Sequence, residues 1–121
     1  MELHKAVSEY KDYEKRVVDK ETGGEKCKKM TRFSLIPPRF LWELADHFEV
    51  GAMKYDDHNW KKGYKWSLSY DALQRHIHEW AMGESRDTDT KSHHLIAAAW
   101  HCICLWWFEN NKKGTDDIRE S

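Results

Sequence analysis

The sequence has little of what marks several large classes of protein. Its 121 residues include only two prolines and six glycines, which argues against a disordered or low-complexity chain. Neither sign of charge is in excess, because 20 lysines and arginines face 21 aspartates and glutamates. The net charge of −1 excludes a protein that binds DNA or RNA duplexes, or a membrane surface, through a strongly basic face. The longest uncharged stretch, residues 92–108, contains three histidines and falls short of a membrane span.

Cysteine is scarce as well, with three in the chain. Cys102 and Cys104 lie two residues apart, which on a helix puts them on different faces. The amino terminus has no apolar run after a basic start, such as a secretory signal needs. We therefore expect reduced thiols and a cytoplasmic protein.

Tryptophan is abundant, with seven in a chain that is long enough for one domain. We predict a single domain over residues 1–121, made of a charged N-terminal arm (1–31), a helical core (32–110) and a polar tail (111–121). The tail is expected to fray. Within the arm, Val17 and Val18 precede a Thr22-Gly23-Gly24 turn signal and suggest a short extended segment.

Three helices are predicted in the core. The first follows Pro37-Pro38 and ends near Asp56, the second is capped by Ser67 or Ser69 and ends at Gly83, and the third spans about Ser92 to Glu109. The apolar face of the second helix comprises Tyr70, Leu73, Ile77 and Trp80. The third helix is apolar nearly all round, which is typical of a central helix. The expected fold class is all-α, a compact helical bundle with an irregular or short extended N-terminal arm.

The third helix also predicts self-association. Two neighbouring helices can cover only part of a helix that is apolar on both faces, and symmetric assembly is the commonest way to cover the rest. We therefore expect a homo-oligomer, most simply a dimer or a tetramer.

Histidines and carboxylates gather near the start of the third helix. His94 and His101 are seven residues apart, hence on one helix face, and Glu84 and Asp87 immediately precede His94. Carboxylates at this spacing could share a hard cation such as Mg²⁺, with a phosphate supplying further oxygens. The alternative is a charged surface loop beside core histidines. His76, beside the apolar face of the second helix, has the same two interpretations.

Aromatic residues between the first two helices could bind a nucleobase. Asn59 and Trp60, together with Trp66, offer an amide for hydrogen bonding and two rings for stacking. The alternative is that these tryptophans fill the core.

Several stretches of the chain follow a known family in order and spacing. They are ETGGEK (21–26), RFSLIPP (32–38), LWELA (41–45), GAMKYDDHNWKKGYKWS (51–67), DALQRH (71–76), GESRDTDT (83–90) and HLIAAAWH (94–101). On these residues the chain resembles the phage family named after the N-terminal domain of dATP/dGTP diphosphohydrolase. The resemblance departs at Lys91, where the family often has glycine, and at Ser34, where it often has aspartate. The paired-glutamate motif of MazG proteins is missing.

The resemblance implies a bundle of the MazG-like type and a nucleotide ligand in the cytoplasm of a bacterial host. It implies removal of pyrophosphate from a (deoxy)nucleoside triphosphate with Mg²⁺ or Mn²⁺. Seven residues stand at polar positions of the family, namely Lys54, Asn59, Arg75, His76, Glu84, Asp87 and His94. For such an enzyme we expect metal binding by Glu84, Asp87 and Glu43, catalysis by His76, His94, Arg75 and Lys54, and nucleotide binding by Asn59, Trp60, Lys54, Arg75 and Trp66.

Two functions of other classes stay open. One is a module that captures a nucleotide without turning it over, for example a host signalling nucleotide used in defence against phage. The other is an interaction domain that oligomerises through its tryptophan faces.

Overall fold

The computed structural model describes residues 15–119, which divide between Pro37 and Pro38 into two compact units. The first unit contains the strands β1 (Lys15–Val18) and β2 (Glu25–Lys28) and a 3₁₀ turn at Phe33–Leu35. The second contains the helices α1 (Pro38–Tyr55), α2 (Trp66–Ala81) and α3 (His94–Asn111), with a 3₁₀ turn at Asn59–Lys62. The described part of the chain is therefore mostly helical, as predicted. Residues 1–14 of the predicted arm lie outside it.

The two strands form an antiparallel hairpin. Lys15 pairs with Lys28 and Val18 with Glu25, and the Asp19 carboxylate caps the turn by accepting from the amide of Thr22 at 2.9 Å. Gly23 takes φ +77° in this turn, a conformation that suits glycine. The expected extended segment is thus present. Because it forms a sheet, the described chain is not purely α-helical.

Helix α3 is the centre of the helical unit, as its sequence predicts. It packs against both α1 and α2. Within residues 15–119 the buried hydrophobic side chains all belong to it, namely Ile96, Ala97, Ala98, Cys104 and Phe108. No helix within residues 15–119 is long and apolar enough to cross a lipid bilayer.

Helix α2 turns a different face to α3 than its sequence suggests. The predicted core residues Tyr70, Ile77 and Trp80 are 42%, 37% and 44% exposed, whereas Ser69 and His76 are buried. Neither Ser67 nor Ser69 caps the helix, which begins at Trp66 with Lys65 at the cap. The prediction of this face was wrong because the polar residues find partners on α3, and burying a paired polar group carries little cost.

The polar tail is held in place as far as Arg119, contrary to the expected fraying. Trp66 anchors it, since its indole Nε1 donates to the Lys113 carbonyl at 2.9 Å and its amide donates to the Thr115 carbonyl at 2.9 Å. The backbones come so close that a Cβ on Gly63 would lie 2.3 Å from the amide nitrogen of Gly114. Only glycine fits there.

Candidate functional site

A cavity of about 840 Å³ lies among the three helices and the loops that join them. This volume is typical of sites for small organic ligands. Part of its lining is apolar and aromatic, from Phe48, Trp60 and Trp100. The remainder is polar and includes both cations, such as Arg75, and carboxylates, such as Asp87.

A cluster of two histidines and two carboxylates forms at the polar side of the cavity. It consists of His76 and Glu79 of α2, Asp87 of the loop that follows, and His94, the first residue of α3. One potential ligand atom from each lies within 4.8 Å of those of the other three. We call these residues the His/carboxylate cluster. His94 is fully buried, and His76 is nearly so.

The two histidines contact each other directly. Nδ1 of His76 lies 2.9 Å from Nδ1 of His94, and Nε2 of His94 donates to Glu84 Oε1 at 2.7 Å. Burial lowers the pKa of His76, and the charges of Arg75 and His94 lower it further. His76 is therefore neutral at pH 7 and can accept a proton or a cation.

The loop between α2 and α3 holds Asp87 in a defined position. The Asp87 amide donates to the Ser92 carbonyl at 2.9 Å, and Thr90 donates to Oδ2 through both its amide and its hydroxyl. Burial raises the pKa of Asp87, but the two hydrogen bonds from Thr90 together with the neighbouring His76 and Arg75 outweigh it, so the net pKa is lowered and the group stays ionised. Lys91 has φ +66° in this loop, a backbone conformation that favours glycine.

A second buried chain of polar groups joins α2 to α3. The Tyr64 hydroxyl lies 2.6 Å from Ser69 Oγ, which lies 2.9 Å from His101 Nδ1. Burial lowers the pKa of His101 to about 4 and raises that of Tyr64, so at pH 7 the imidazole is neutral and the phenol protonated. The Ser69 hydroxyl has one proton, so it can donate to one of these two partners and accept from the other.

Trp60 stands within a group of aromatic rings. Its ring centroid lies 6.1 Å from Phe48, 6.2 Å from Trp100 and 5.3 Å from Trp107. It therefore fills space between α1 and α3 while also lining the cavity. The Nε1 of Trp100 is buried and has no hydrogen-bond partner among the described residues.

The structure brings most of the predicted site residues together. Six of them line the cavity, namely Lys54, Asn59, Trp60, Arg75, His76 and Asp87. His94 contacts His76, and Glu84 contacts His94 in turn.

Two predicted residues lie elsewhere. Glu43 pairs with Arg39 at 3.3 Å and with Arg86 at 3.2 Å, outside the cavity lining. Trp66 holds the C-terminal segment, as described above, and is absent from the lining too.

Sequence reasoning missed three residues of the site. Glu79 is three residues after His76, a spacing that puts both on one helix face and could have indicated it. Ser69 and Tyr64 carry no such signal, because a buried hydroxyl is recognised only once its partner on another helix is known.

The fold and the cavity thus define a mostly helical domain with a polar and aromatic cavity of a size that suits a small molecule. A sequence model of the family described as "dATP/dGTP diphosphohydrolase, N-terminal" matches residues 20–118, and the chain belongs to this family. Over 88 residues it is 38% identical to a Salmonella phage PMBT28 protein named "dATP/dGTP diphosphohydrolase". That match covers 73% of the chain but 30% of the relative, so the chain spans less than a third of the relative's length. No solved structure matches the chain.

Proposed function

We propose that the protein binds a (deoxy)nucleoside triphosphate in the cavity and hydrolyses it to the monophosphate and pyrophosphate. Water would attack the α-phosphorus, and the bond from that phosphorus to the bridging oxygen of the β-phosphate would break. The observation that carries the proposal is one cavity that combines an aromatic wall, two cationic side chains and two members of the His/carboxylate cluster, His76 and Asp87. The name of the phage relative agrees with it.

Lys54 and Arg75 are suited to the phosphates. Both line the cavity, and both are held in exposed ion pairs, Lys54 with Asp89 at 3.4 Å and Arg75 with Glu79 at 3.4 Å. Exposed pairs of this kind contribute little to stability, so a phosphate can replace the carboxylate partner. Arginine and lysine would also stabilise the charge that develops on the leaving pyrophosphate.

The base would lie against the aromatic wall. Phe48 and Trp60 offer ring surface, and the half-buried Asn59 offers an amide that can donate and accept hydrogen bonds. An amide of this kind can read the edge of a purine.

The two carboxylates of the His/carboxylate cluster suit a divalent cation such as Mg²⁺ or Mn²⁺, and its two imidazoles favour Mn²⁺ of the two. Asp87 stays ionised, as shown above, and Glu79 supplies a second carboxylate within the same 4.8 Å group. When bound, such an ion neutralises phosphate charge and activates water for attack. Glu84, which the resemblance assigns to the metal, is engaged with His94 instead and would orient that ring.

The test is product analysis on purified protein. Incubation with dATP, dGTP and the other nucleoside triphosphates, with Mg²⁺ or Mn²⁺, should yield monophosphate and pyrophosphate. Asp87→Asn should lower the rate by orders of magnitude because it removes a ligand charge from the cluster. Arg75→Ala should slow the reaction as well, through loss of a phosphate contact.

A matched control separates these effects from a general loss of charge. Asp71→Asn makes the same chemical change on the exposed surface of α2, away from the cavity lining, and should leave the rate unchanged. Asp87→Asn protein that turns over substrate at the wild-type rate would remove the cluster from the mechanism.

A second function is favoured by one observation. The matched region is 30% of the phage relative, so catalytic groups of that relative can lie outside it. The chain would then capture a nucleotide without hydrolysing it. In the same experiment the nucleotide would be recovered intact after the protein is denatured. Asp87→Asn would then leave affinity unchanged or raise it, since the carboxylate repels phosphate.

We also propose that the protein is a homo-oligomer. Tyr70, Ile77 and Trp80 form an apolar stripe on α2 that is more than a third exposed, and Trp106 on α3 is 59% exposed. A second copy of the chain would cover such surfaces. Sedimentation equilibrium should give a multiple of 14.5 kDa at micromolar concentration, and a mass of one chain would contradict the proposal.

A further inference from the structure

We infer that the His/carboxylate cluster is a binding site for a divalent transition-metal ion of the series from Mn²⁺ to Zn²⁺, filled before any nucleotide arrives. The ligands would be both imidazoles and both carboxylates of the cluster. The catalytic use of the ion rests on the proposed function, whereas its binding does not.

The spacing of the imidazoles is that of neighbouring metal ligands. Two nitrogens that lie at right angles, each about 2.1 Å from an ion, are about 3.0 Å apart. The Nδ1 atoms of His76 and His94 are 2.9 Å apart. In the metal-free protein the same distance is a hydrogen bond in which one ring donates, so an ion would replace one proton between the rings.

The carboxylates need only a small movement. Opposite ligands of an ion with bonds of about 2.1 Å are about 4.2 Å apart. The four potential ligand atoms already lie within 4.8 Å of one another. Thr90 holds only Oδ2 of Asp87, so Oδ1 is the oxygen that a cation can take. Rotation of the half-buried Glu79 side chain would shorten the remaining distances between the four ligand atoms.

Glu84 orients His94 in the way that a hydrogen-bonded carboxylate orients a metal-bound histidine. Its Oε1 accepts the Nε2 proton of His94 at 2.7 Å, so the lone pair of Nδ1 faces His76 and could bind an ion there. Arg75 lies 3.5 Å from Nε2 of His76, a long contact, and would turn toward Glu79, with which it already pairs.

The donor set selects the class of metal. Mg²⁺ and Ca²⁺ prefer oxygen ligands, whereas imidazole nitrogens favour Mn²⁺, Fe²⁺, Co²⁺ and Zn²⁺. Two imidazoles beside two carboxylates therefore favour these transition ions over Mg²⁺. The cluster also lies at the cavity, because His76 and Asp87 line it.

The test is titration of Co²⁺ into untagged, full-length protein freed of metal by chelator, without nucleotide. Visible absorption bands should appear and saturate at one ion per chain. Mg²⁺ in large excess should not abolish them. His94→Ala should abolish binding, and Glu84→Ala, which removes only the carboxylate behind His94, should weaken it about tenfold to a hundredfold.

The matched control is His78→Ala, because His78 is an exposed histidine two residues after His76 on the same helix. It should leave Co²⁺ binding unchanged. If the His94 variant fails to fold, Mn²⁺ added to the unmodified protein gives the answer. The ring signals of His76 and His94 should broaden in nuclear magnetic resonance spectra, while those of His78 should not.

Absence of Co²⁺ bands, equal binding by wild type and the His94 variant, or full competition by Mg²⁺ would each overturn the inference. The outcome is separable from that for the proposed function. Hydrolysis with Mg²⁺ and no Co²⁺ site would leave the proposed function standing alone. A Co²⁺ site in a protein that returns every nucleotide intact would leave the metal site standing alone.

Discussion

Replacing Ser69 by alanine should destabilise the protein far more than the loss of one small hydroxyl suggests. Ser69 is fully buried and makes two hydrogen bonds, one to Tyr64 just before α2 and one to His101 on α3. Its oxygen lies 2.6 Å from the Tyr64 hydroxyl and 2.9 Å from Nδ1 of His101. Ser69→Ala removes both bonds and leaves both partners in place.

The size of the effect follows from those partners. A buried polar group left without a hydrogen bond costs about 1–3 kcal/mol. At pH 7 His101 cannot compensate for the lost hydrogen bond by taking up a proton, because burial lowers its pKa to about 4. The hydroxyl of Tyr64 is half-buried and can turn partly toward water, so its share lies at the lower end. Together we expect a loss of about 3 kcal/mol in the free energy of unfolding.

Urea-induced unfolding followed by tryptophan fluorescence at pH 7.5 measures this loss. Protein concentration should be held constant, since assembly would couple to stability. The control is Ser67→Ala on the same helix, whose hydroxyl donates to Asp117 at the surface over 2.6 Å. Because water can replace that bond, the control should lose less than about 1 kcal/mol.

A double-mutant cycle tests the reasoning itself. Tyr64→Phe removes the hydroxyl that Ser69→Ala leaves unpaired, so the two losses should be less than additive by about 1 kcal/mol. Equal losses for Ser67→Ala and Ser69→Ala, or full additivity with Tyr64→Phe, would show that the buried chain does not contribute as the geometry indicates.

Three further predictions concern titration, the C-terminal segment and the thiols. In chelator, acidification should destabilise the fold by about 1.4 kcal/mol per pH unit from His101 alone. The loss of stability occurs between pH 6.5 and about 4, because in this range the unfolded chain binds a proton that the folded imidazole does not. Unfolding curves that coincide at pH 7 and pH 5 would contradict this prediction. Trp66→Phe removes the bond to Lys113 and should speed amide hydrogen exchange at Thr115, and unchanged exchange would mean that the indole is not the anchor. A thiol reagent should modify the exposed Cys27 and Cys102 at once but the buried Cys104 only after unfolding, because burial raises the pKa of Cys104 to about 12. Reaction of all three thiols at the same rate would refute this prediction.

The three helices could be predicted because their signals are local. Pro38 begins α1, and Gly83, at φ +106°, follows the end of α2. The uniform apolarity of α3 predicts its central place, which the burial of Ala97 and Phe108 confirms. Each signal is read from neighbouring residues and needs no knowledge of the rest of the fold.

The packed face of α2 could not be predicted in this way. Its apolar stripe, with Ile77 and Trp80, is more regular than its polar face, so periodicity favours burying it. The structure buries Ser69 and His76 instead, because His101 and His94 on α3 complete their hydrogen bonds. Such pairing is a property of two helices together, and no pattern within either helix contains it.

The burial of polar residues of α2 in place of its apolar stripe also accounts for the cavity in so small a chain. Buried hydroxyls and imidazoles join α2 to α3 with directional bonds, which fix positions but bury less apolar surface than leucines would. Ile77 and Trp80 consequently remain partly exposed, and the interior near His76 stays polar and open. The free energy that a fully apolar interface would have contributed must then come from elsewhere. The proposed ion between His76 and His94 and the proposed second copy of the chain over the exposed stripe would both stabilise only the folded form, so the site and the assembly would answer one physical requirement.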